Sequence, residues 1–77
     1  MSTILIIDDE RAIRNSLRDI LEYEDYNILD VDNGIEALEI IKKEKIDLVL
    51  CDIKMNKMDG MEVLATAQKQ IQIFLLL

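Results

Sequence analysis

Short apolar runs that end in carboxylates alternate with helical segments along almost the whole chain. The run Thr3–Ile7 is unbroken, which is typical of a strand covered on both faces, and Asp8 and Asp9 end it. In residues 11–24 the apolar side chains instead recur at helical spacing. Parallel strands need a crossover connection, which is usually a helix. The alternation therefore predicts an α/β fold with a parallel sheet.

The predicted order of elements is β-α-β-α-β-α-β, which gives three layers with helices on both faces of the sheet. An acid inside the second strand, Asp30, indicates that this strand lies at an edge. Asn33 followed by Glu36 predicts the N-terminal cap of the second helix. The further elements are predicted as a strand at 27–31, a helix that ends near residue 43, a strand at 46–51, a helix from Asp59 to about residue 69 and a strand at 71–77.

The apolar spacing also predicts which helical residues face the sheet. For the first helix these are Ile13, Leu17, Ile20 and Leu21, and for the second helix Ile35, Leu38 and Ile41.

Composition excludes several classes of protein. The 77 residues can form at most one small domain, and the net charge of −7 opposes direct binding to nucleic acid phosphates. A single cysteine and no histidine exclude an internal disulfide and a Cys/His zinc site. No apolar run approaches the roughly 20 residues of a membrane span. We therefore expect a cytoplasmic protein without membrane contact.

Three acids follow two of the predicted strands. Asp8 and Asp9 come after the first strand and Asp52 after the third. Ligands of open parallel sheets bind beyond the carboxyl ends of the strands, so these carboxylates converge if the two strands are neighbours. A few carboxylates with open coordination positions suit Mg²⁺ better than zinc or calcium. The alternative, that these acids only cap helices or end strands in solvent, stays open from spacing alone.

Three motifs together resemble a known family. The stretch "ILIIDDE", the run "NGIEALEIIKKEKIDLVLCDIKMNKMDGMEVL" and the spacing between the two acidic sites are similar to the receiver domain of bacterial two-component response regulators. The similarity covers residues 3–69, nearly the whole chain. It implies a doubly wound parallel sheet of the flavodoxin/CheY-like type.

The resemblance implies a role for each acid. Asp52 matches the phosphoacceptor, which takes a phosphoryl group from a sensor histidine kinase or a phosphotransfer protein. Asp8 and Asp9 match the acidic pair that holds Mg²⁺ together with Asp52, with Asp9 as a direct ligand and Asp8 farther from the ion. Lys54 would contribute its backbone carbonyl. The domain would be a signalling switch rather than an enzyme in the ordinary sense. Aspartyl-phosphate phosphohydrolases carry a second acid two residues after the nucleophile, where this chain has Lys54.

The resemblance also predicts a partial domain. Residues 1–77 are expected to lack the fourth helix, fifth strand and fifth helix of a receiver, with the Ser or Thr and the Lys that contact the phosphoryl group. The sheet face normally covered by the fifth helix, or the edge of the fourth strand, would then support a homo-oligomer. An alternative function is a degenerate interaction module, or a truncated fragment, that only oligomerises and does not switch.

Overall fold

A four-stranded parallel sheet organises the part of the chain that the computed structural model describes, residues 2–52 and 72–76. All three pairings between neighbouring strands are parallel. The predicted α/β class is therefore confirmed. The elements are β1 (Thr3–Ile7), α1 (Arg11–Tyr23), β2 (Asn27–Val31), α2 (Gly34–Lys43), β3 (Leu48–Asp52) and β4 (Gln72–Leu76).

The strand order is β2-β1-β3-β4. β2 lies at one edge, as the acid within it predicted, and β1 and β3 are neighbours near the centre. From β1 the chain crosses to β2 on one side, whereas β4 lies on the other side of β3. Adjacent strands whose connections diverge in this way leave a crevice at their carboxyl ends, where ligands of open α/β sheets bind.

The two helices pack on opposite faces of the sheet. Successive side chains of a strand point to opposite faces, so β1 contributes to both layers. Leu5 and Ile7 lie in the core under α2, and Ile4 and Ile6 lie in the core under α1. The described residues thus form the three layers that the sequence predicted.

The inward face of α2 differs from the prediction at one residue. Ile35 was expected to face the sheet, but it is 64% exposed. Gly34 and Ala37 are buried instead, and Leu38 and Ile41 pack against the core as predicted. These four residues have the spacing i, i+3, i+4, i+7 of one helical stripe, and Ile35 lies to its side. Two small residues complete the stripe, so large apolar residues alone do not mark it.

The predicted stripe of α1 is only half in contact with the sheet. Leu17 and Leu21 pack against the core, whereas Ile13 and Ile20 are 39% and 63% exposed. On a helical projection the two exposed isoleucines lie on the flank opposite Arg18. α1 therefore leaves an apolar flank in solvent.

The predicted cap of α2 is confirmed. The Oδ1 of Asn33 accepts a hydrogen bond from the backbone N–H of Glu36 at 2.8 Å. The predicted third helix, from Asp59 to about residue 69, lies outside the described residues. Within the part that is described, no helix is long and apolar enough to cross a membrane.

The turn after α1 contains a left-handed residue, Asp25, with a φ of 68°. Glycine adopts this region without a Cβ penalty, so Asp25→Gly is expected to stabilise the protein by about 0.5 kcal/mol. The neighbouring Glu24 has a φ of −89° and provides the control. Glu24→Gly should lower stability, because it adds freedom only to the unfolded chain. Urea unfolding curves for both variants test the prediction, and a less stable Asp25→Gly protein would contradict it.

Candidate functional site

Three carboxylates converge at the carboxyl ends of β1 and β3. Asp8 directly follows β1, Asp9 comes next in the chain, and Asp52 is the last residue of β3. One carboxylate oxygen from each of the three lies within 4.8 Å of the others. Asp8 is 1% exposed and Asp52 is 6% exposed, whereas Asp9 is open to solvent. We call these three residues the acid cluster. The sequence predicted this convergence on the condition that β1 and β3 are neighbours, which they are.

Backbone contacts hold Asp8 in place. Its N–H donates to the carbonyl of Val31 at 3.1 Å, which extends the β1–β2 pairing by one hydrogen bond. Its Oδ1 accepts a hydrogen bond from the backbone N–H of Glu10 at 2.8 Å. The strand and the first residues of the following loop therefore fix both the main chain and the carboxylate of Asp8.

The electrostatics of the cluster disfavour the negative charge on Asp8. Burial raises the pKa of the Asp8 carboxyl above its ordinary value, and the hydrogen bond from Glu10 opposes this only in part. The negative charges of Asp52 and Asp9 raise this pKa further. A cation bound among the three carboxylates would remove the repulsion that causes these latter shifts.

The donor set of the acid cluster fits a hard divalent cation. All three side chains offer carboxylate oxygens, which suit magnesium, calcium or manganese rather than a site built on sulfur or nitrogen. Three protein oxygens leave several coordination positions for water and substrate, which Mg²⁺ commonly retains. The acid cluster could therefore bind a metal ion. The further ligand expected from the resemblance, the carbonyl of Lys54, lies outside the described residues.

Cys51 precedes Asp52 but faces the other layer. Its side chain is buried in the core under α2. Burial raises the pKa of the Cys51 thiol, and the negative charges of Asp52 and Asp8 raise it further. Both effects favour the protonated, poorly nucleophilic form of the thiol, so Cys51 acts as a packing residue beside the site.

A cluster of charged residues beside the site was not predicted. Arg14 of α1 donates from Nη1 to the backbone carbonyl of Asp8 at 2.8 Å. The same side chain lies 3.4 Å, Nε to Oδ1, from Asp30 of β2. Arg18 donates from Nε to the other carboxylate oxygen of Asp30 at 2.8 Å. The available signal was the pair of arginines four residues apart on α1 together with an acid inside an otherwise apolar strand.

A family comparison agrees with this geometry. The sequence profile described as the response regulator receiver domain matches residues 4–76. The chain belongs to the response regulator receiver domain family. The doubly wound parallel sheet is accordingly the CheY-like fold that the resemblance predicted, and receiver domains are signalling modules rather than conventional enzymes.

Relatives and solved structures support the same assignment. Sporulation initiation phosphotransferase F of Bacillus subtilis is 46% identical over 61 residues, which are 79% of this receiver chain and 49% of the relative. The response regulator TrrA of Thermotoga maritima, solved in complex with Mg(2+)-BeF, is 38% identical with a TM-score of 0.86. That match covers 97% of this chain and 68% of TrrA.

A second structure contains TrrA in complex with the histidine kinase ThkA, and this match has a TM-score of 0.84 and 38% identity. It covers 97% of this chain and 67% of the matched chain. The chain therefore spans about half the length of the curated Bacillus relative and about two thirds of these solved receivers.

Proposed function

We propose that this receiver domain accepts a phosphoryl group on Asp52 in a two-component phosphorelay. Mg²⁺ would be held by Asp8, Asp9 and Asp52, and the Lys54 carbonyl would complete the protein ligands. The observation that carries the proposal is the convergence of the three carboxylates within 4.8 Å at the carboxyl ends of β1 and β3. The Mg(2+)-BeF complex of TrrA, a relative by fold and sequence, supports the choice of metal.

The chemistry proposed for Asp52 is nucleophilic. A carboxylate oxygen of Asp52 attacks the phosphorus of a phosphohistidine, the P–N bond breaks, and the electron pair stays on the imidazole nitrogen, which takes up a proton. The product is an acyl phosphate, which water later hydrolyses, so each phosphorylation is a single switching event. Bound Mg²⁺ would neutralise the charge that collects on the carboxylate and phosphoryl oxygens.

The fold of the chain positions the Asp52 carboxylate for attack. Asp52 is the last residue of a strand that pairs with β1 and β4 on its two sides, so its backbone is fixed. Its side chain is mostly buried, which limits the orientations from which it can attack. Phosphoryl transfer depends more on position and charge neutralisation than on covalent help from the protein. The rigid strand end supplies the position, and the cation that the three acids would hold supplies the charge neutralisation.

The proposed partner is a sensor histidine kinase or a phosphotransfer protein. The complex of TrrA with the histidine kinase ThkA supports this class of partner. We further propose that the domain acts in the cytoplasm and does not bind nucleic acid itself. A buried free thiol agrees with a reducing compartment, and the net charge of −7 opposes contact with a phosphate backbone.

Phosphorylation of Asp52 can be tested directly. Incubation of the chain with Mg²⁺ and a small acyl phosphate donor should add one phosphoryl group, as seen by intact mass spectrometry. Asp52→Asn should remain unmodified, because an amide is not a nucleophile toward phosphorus, and omission of Mg²⁺ should slow the reaction strongly. If the wild-type chain stays unmodified under conditions that label a longer receiver, the degenerate interaction module becomes the better description.

We also propose self-association through the sheet face that carries α1. On this face Leu48 and Leu50 of β3 are only partly buried, whereas Val49 and Cys51 on the other face are fully buried. The exposed flank of α1 adds Ile20 to the apolar surface. A second copy of the chain, with the same apolar face or with the edge of β4, would cover it.

The Ile20→Lys variant tests this association. A lysine at an exposed position should change the free energy of unfolding by no more than about 0.5 kcal/mol, yet it should weaken an apolar contact between copies. Ile35→Lys is the matched control, because Ile35 is equally exposed but lies on α2, which packs on the other face of the sheet. Sedimentation velocity should show a smaller associated fraction for Ile20→Lys only. A wild-type chain that sediments as a dispersed monomer would contradict the proposal.

A further inference from the structure

Arg14 connects the acid cluster to the edge of the sheet. Its Nη1 donates to the carbonyl oxygen of Asp8 at 2.8 Å, and its Nε lies 3.4 Å from Oδ1 of Asp30. The Arg14 side chain is only 15% exposed. Among the described residues its buried Nε makes no hydrogen bond, so the ion pair with Asp30 is the contact that offsets the burial of this donor. A part-buried guanidinium with two protein partners is held in one orientation.

The carbonyl that Arg14 contacts belongs to the peptide group between Asp8 and Asp9. The paired register of β1 ends at Ile7, and the N–H of Asp8 adds one last hydrogen bond to β2, so the carbonyl of Asp8 lies beyond the strand ladder. A buried carbonyl without a partner is unfavourable, and Arg14 supplies the donor that a neighbouring strand would otherwise supply. The orientation of this peptide group determines where Asp9 stands relative to Asp8. Arg14 therefore acts on two members of the acid cluster at once.

Asp30 in turn fixes Arg14. One carboxylate oxygen of Asp30 lies near Arg14, and the other accepts a hydrogen bond from Arg18. Both arginines lie on α1 and Asp30 lies on β2, so the three charges tie the helix to the edge strand. The Asp30 side chain is therefore held from two sides, and a rotation that breaks the contact with Arg14 also disturbs the hydrogen bond from Arg18.

We propose that Arg14 is a positioning residue for divalent cation binding at the acid cluster. It acts by holding the peptide group between Asp8 and Asp9, and Asp30 keeps its guanidinium in place. This inference rests on the proposed function, because it requires the acid cluster to bind Mg²⁺. Partners that orient metal ligands typically change metal affinity by about 10- to 100-fold when they are removed.

Charge alone predicts the opposite change in Mg²⁺ affinity when Arg14 is removed, so the affinity distinguishes the two explanations. Arg14 carries a positive charge near a site for a cation, so its removal should strengthen Mg²⁺ binding if charge alone matters. A positioning role predicts weaker binding instead. Arg18→Met is the matched control, because Arg18 lies on the same helix and contacts the same Asp30 but has no contact with Asp8.

The experiment measures the Kd of the 77-residue chain for Mg²⁺ by calorimetric titration. Arg14→Met keeps the aliphatic stem and removes every donor, and its Kd should rise by about 10-fold. Arg18→Met should bind Mg²⁺ as tightly as the wild type, or more tightly. Arg14→Lys should recover part of the affinity, because an ammonium group can donate to one carbonyl. If Arg14→Met does not fold, Arg14→Gln replaces it, since its shorter side chain ends before the guanidinium position.

Each outcome decides a different question. An unchanged or lower Kd in the Arg14 variant, with Mg²⁺ binding intact in the wild type, overturns the positioning role alone. A wild-type chain that does not bind Mg²⁺ overturns the proposed function and this inference with it.

Amide hydrogen exchange of the metal-free proteins supplies a second readout. Arg14→Met should accelerate exchange at the N–H of Glu10, which bonds the Asp8 carboxylate, without accelerating exchange across the whole sheet. A uniform loss of protection would indicate a general stabilising role and would overturn the assignment.

Discussion

Replacing Asp8 with asparagine is expected to stabilise the metal-free protein and to remove most of its stabilisation by Mg²⁺. Asp8 is buried beside Asp9 and Asp52, so its negative charge is both desolvated and repelled. Asparagine has nearly the same shape, and its carbonyl oxygen can accept the hydrogen bond that Glu10 now donates to the carboxylate. The substitution therefore removes the unfavourable charge and keeps the backbone contact, but it takes away one of the three carboxylates of the acid cluster.

The same burial and repulsion determine how the stability of the metal-free wild type depends on pH. Burial first, and the neighbouring negative charges second, raise the pKa of Asp8 in the folded protein above its ordinary value of 3.8. Between these two pKa values the folded protein binds more protons than the unfolded chain, so the free energy of unfolding falls as pH rises. The contribution of Asp8 is fully present below its unfolded pKa and is lost as pH rises through the folded pKa. Asp8→Asn should lack this part of the pH dependence.

Mg²⁺ should reverse the ranking of the two proteins. A ligand at 100 times its Kd stabilises the folded state by about 2.7 kcal/mol, if it does not bind the unfolded chain. For a domain of this size about 1 kcal/mol corresponds to 4–8 °C, so the wild type should gain roughly 10–20 °C in Tm. Asp8→Asn should gain little, because two carboxylates bind the ion far more weakly than three.

Thermal unfolding with and without Mg²⁺ measures both effects. Asp19→Asn is the control, since it removes one exposed negative charge from α1 and leaves the acid cluster intact. The control should respond to Mg²⁺ like the wild type. An Asp8→Asn protein that is less stable than the wild type without metal would contradict the electrostatic argument. One that gains as much stability from Mg²⁺ as the wild type would show that the acid cluster is not the cation site.

The convergence of the acids could be predicted because it follows from strand geometry alone. Parallel strands end at the same edge of the sheet, so acids that follow neighbouring strands must meet there. The sequence does not state directly that β1 and β3 are neighbours. Asp30 within β2 indicated an edge strand, and an edge position for β2 agrees with β1 and β3 side by side.

Contacts that depend on the exact placement of a helix were harder to predict. Arg14 contacts the carbonyl of Asp8 and the side chain of Asp30, which is 16 residues away in sequence and lies on the neighbouring strand. A charged residue on an amphipathic helix ordinarily faces solvent, so its type alone does not mark Arg14 as a partner of the site. The spacing of Arg14 and Arg18 and the acid within β2 indicate a contact with Asp30, but not the contact with the carbonyl of Asp8. The position of α1 over β1 and β2 creates the contact.

The side of α2 that faces the sheet was also hard to predict from the sequence, and its stability can be tested by substitution. Leu5 is fully buried in the core under α2, on a strand with neighbours on both sides, whereas Ile35 is largely exposed. Truncation of a buried leucine costs about 2–5 kcal/mol, because the cavity adds to the lost transfer free energy. A 77-residue domain has a total stability of roughly 4–12 kcal/mol. Leu5→Ala should therefore remove a large part of it, while Ile35→Ala should change it by no more than about 0.5 kcal/mol.

Urea unfolding of Leu5→Ala and Ile35→Ala distinguishes the two possible faces of α2. If Gly34 and Ala37 face the sheet, as in the structure, only Leu5→Ala should lower the midpoint, with an unchanged slope. If Ile35 faces the sheet instead, both variants should lose stability by a similar amount. The second result would indicate that α2 is rotated about its axis by roughly one residue, so that Ala37 lies beside the buried stripe and not within it.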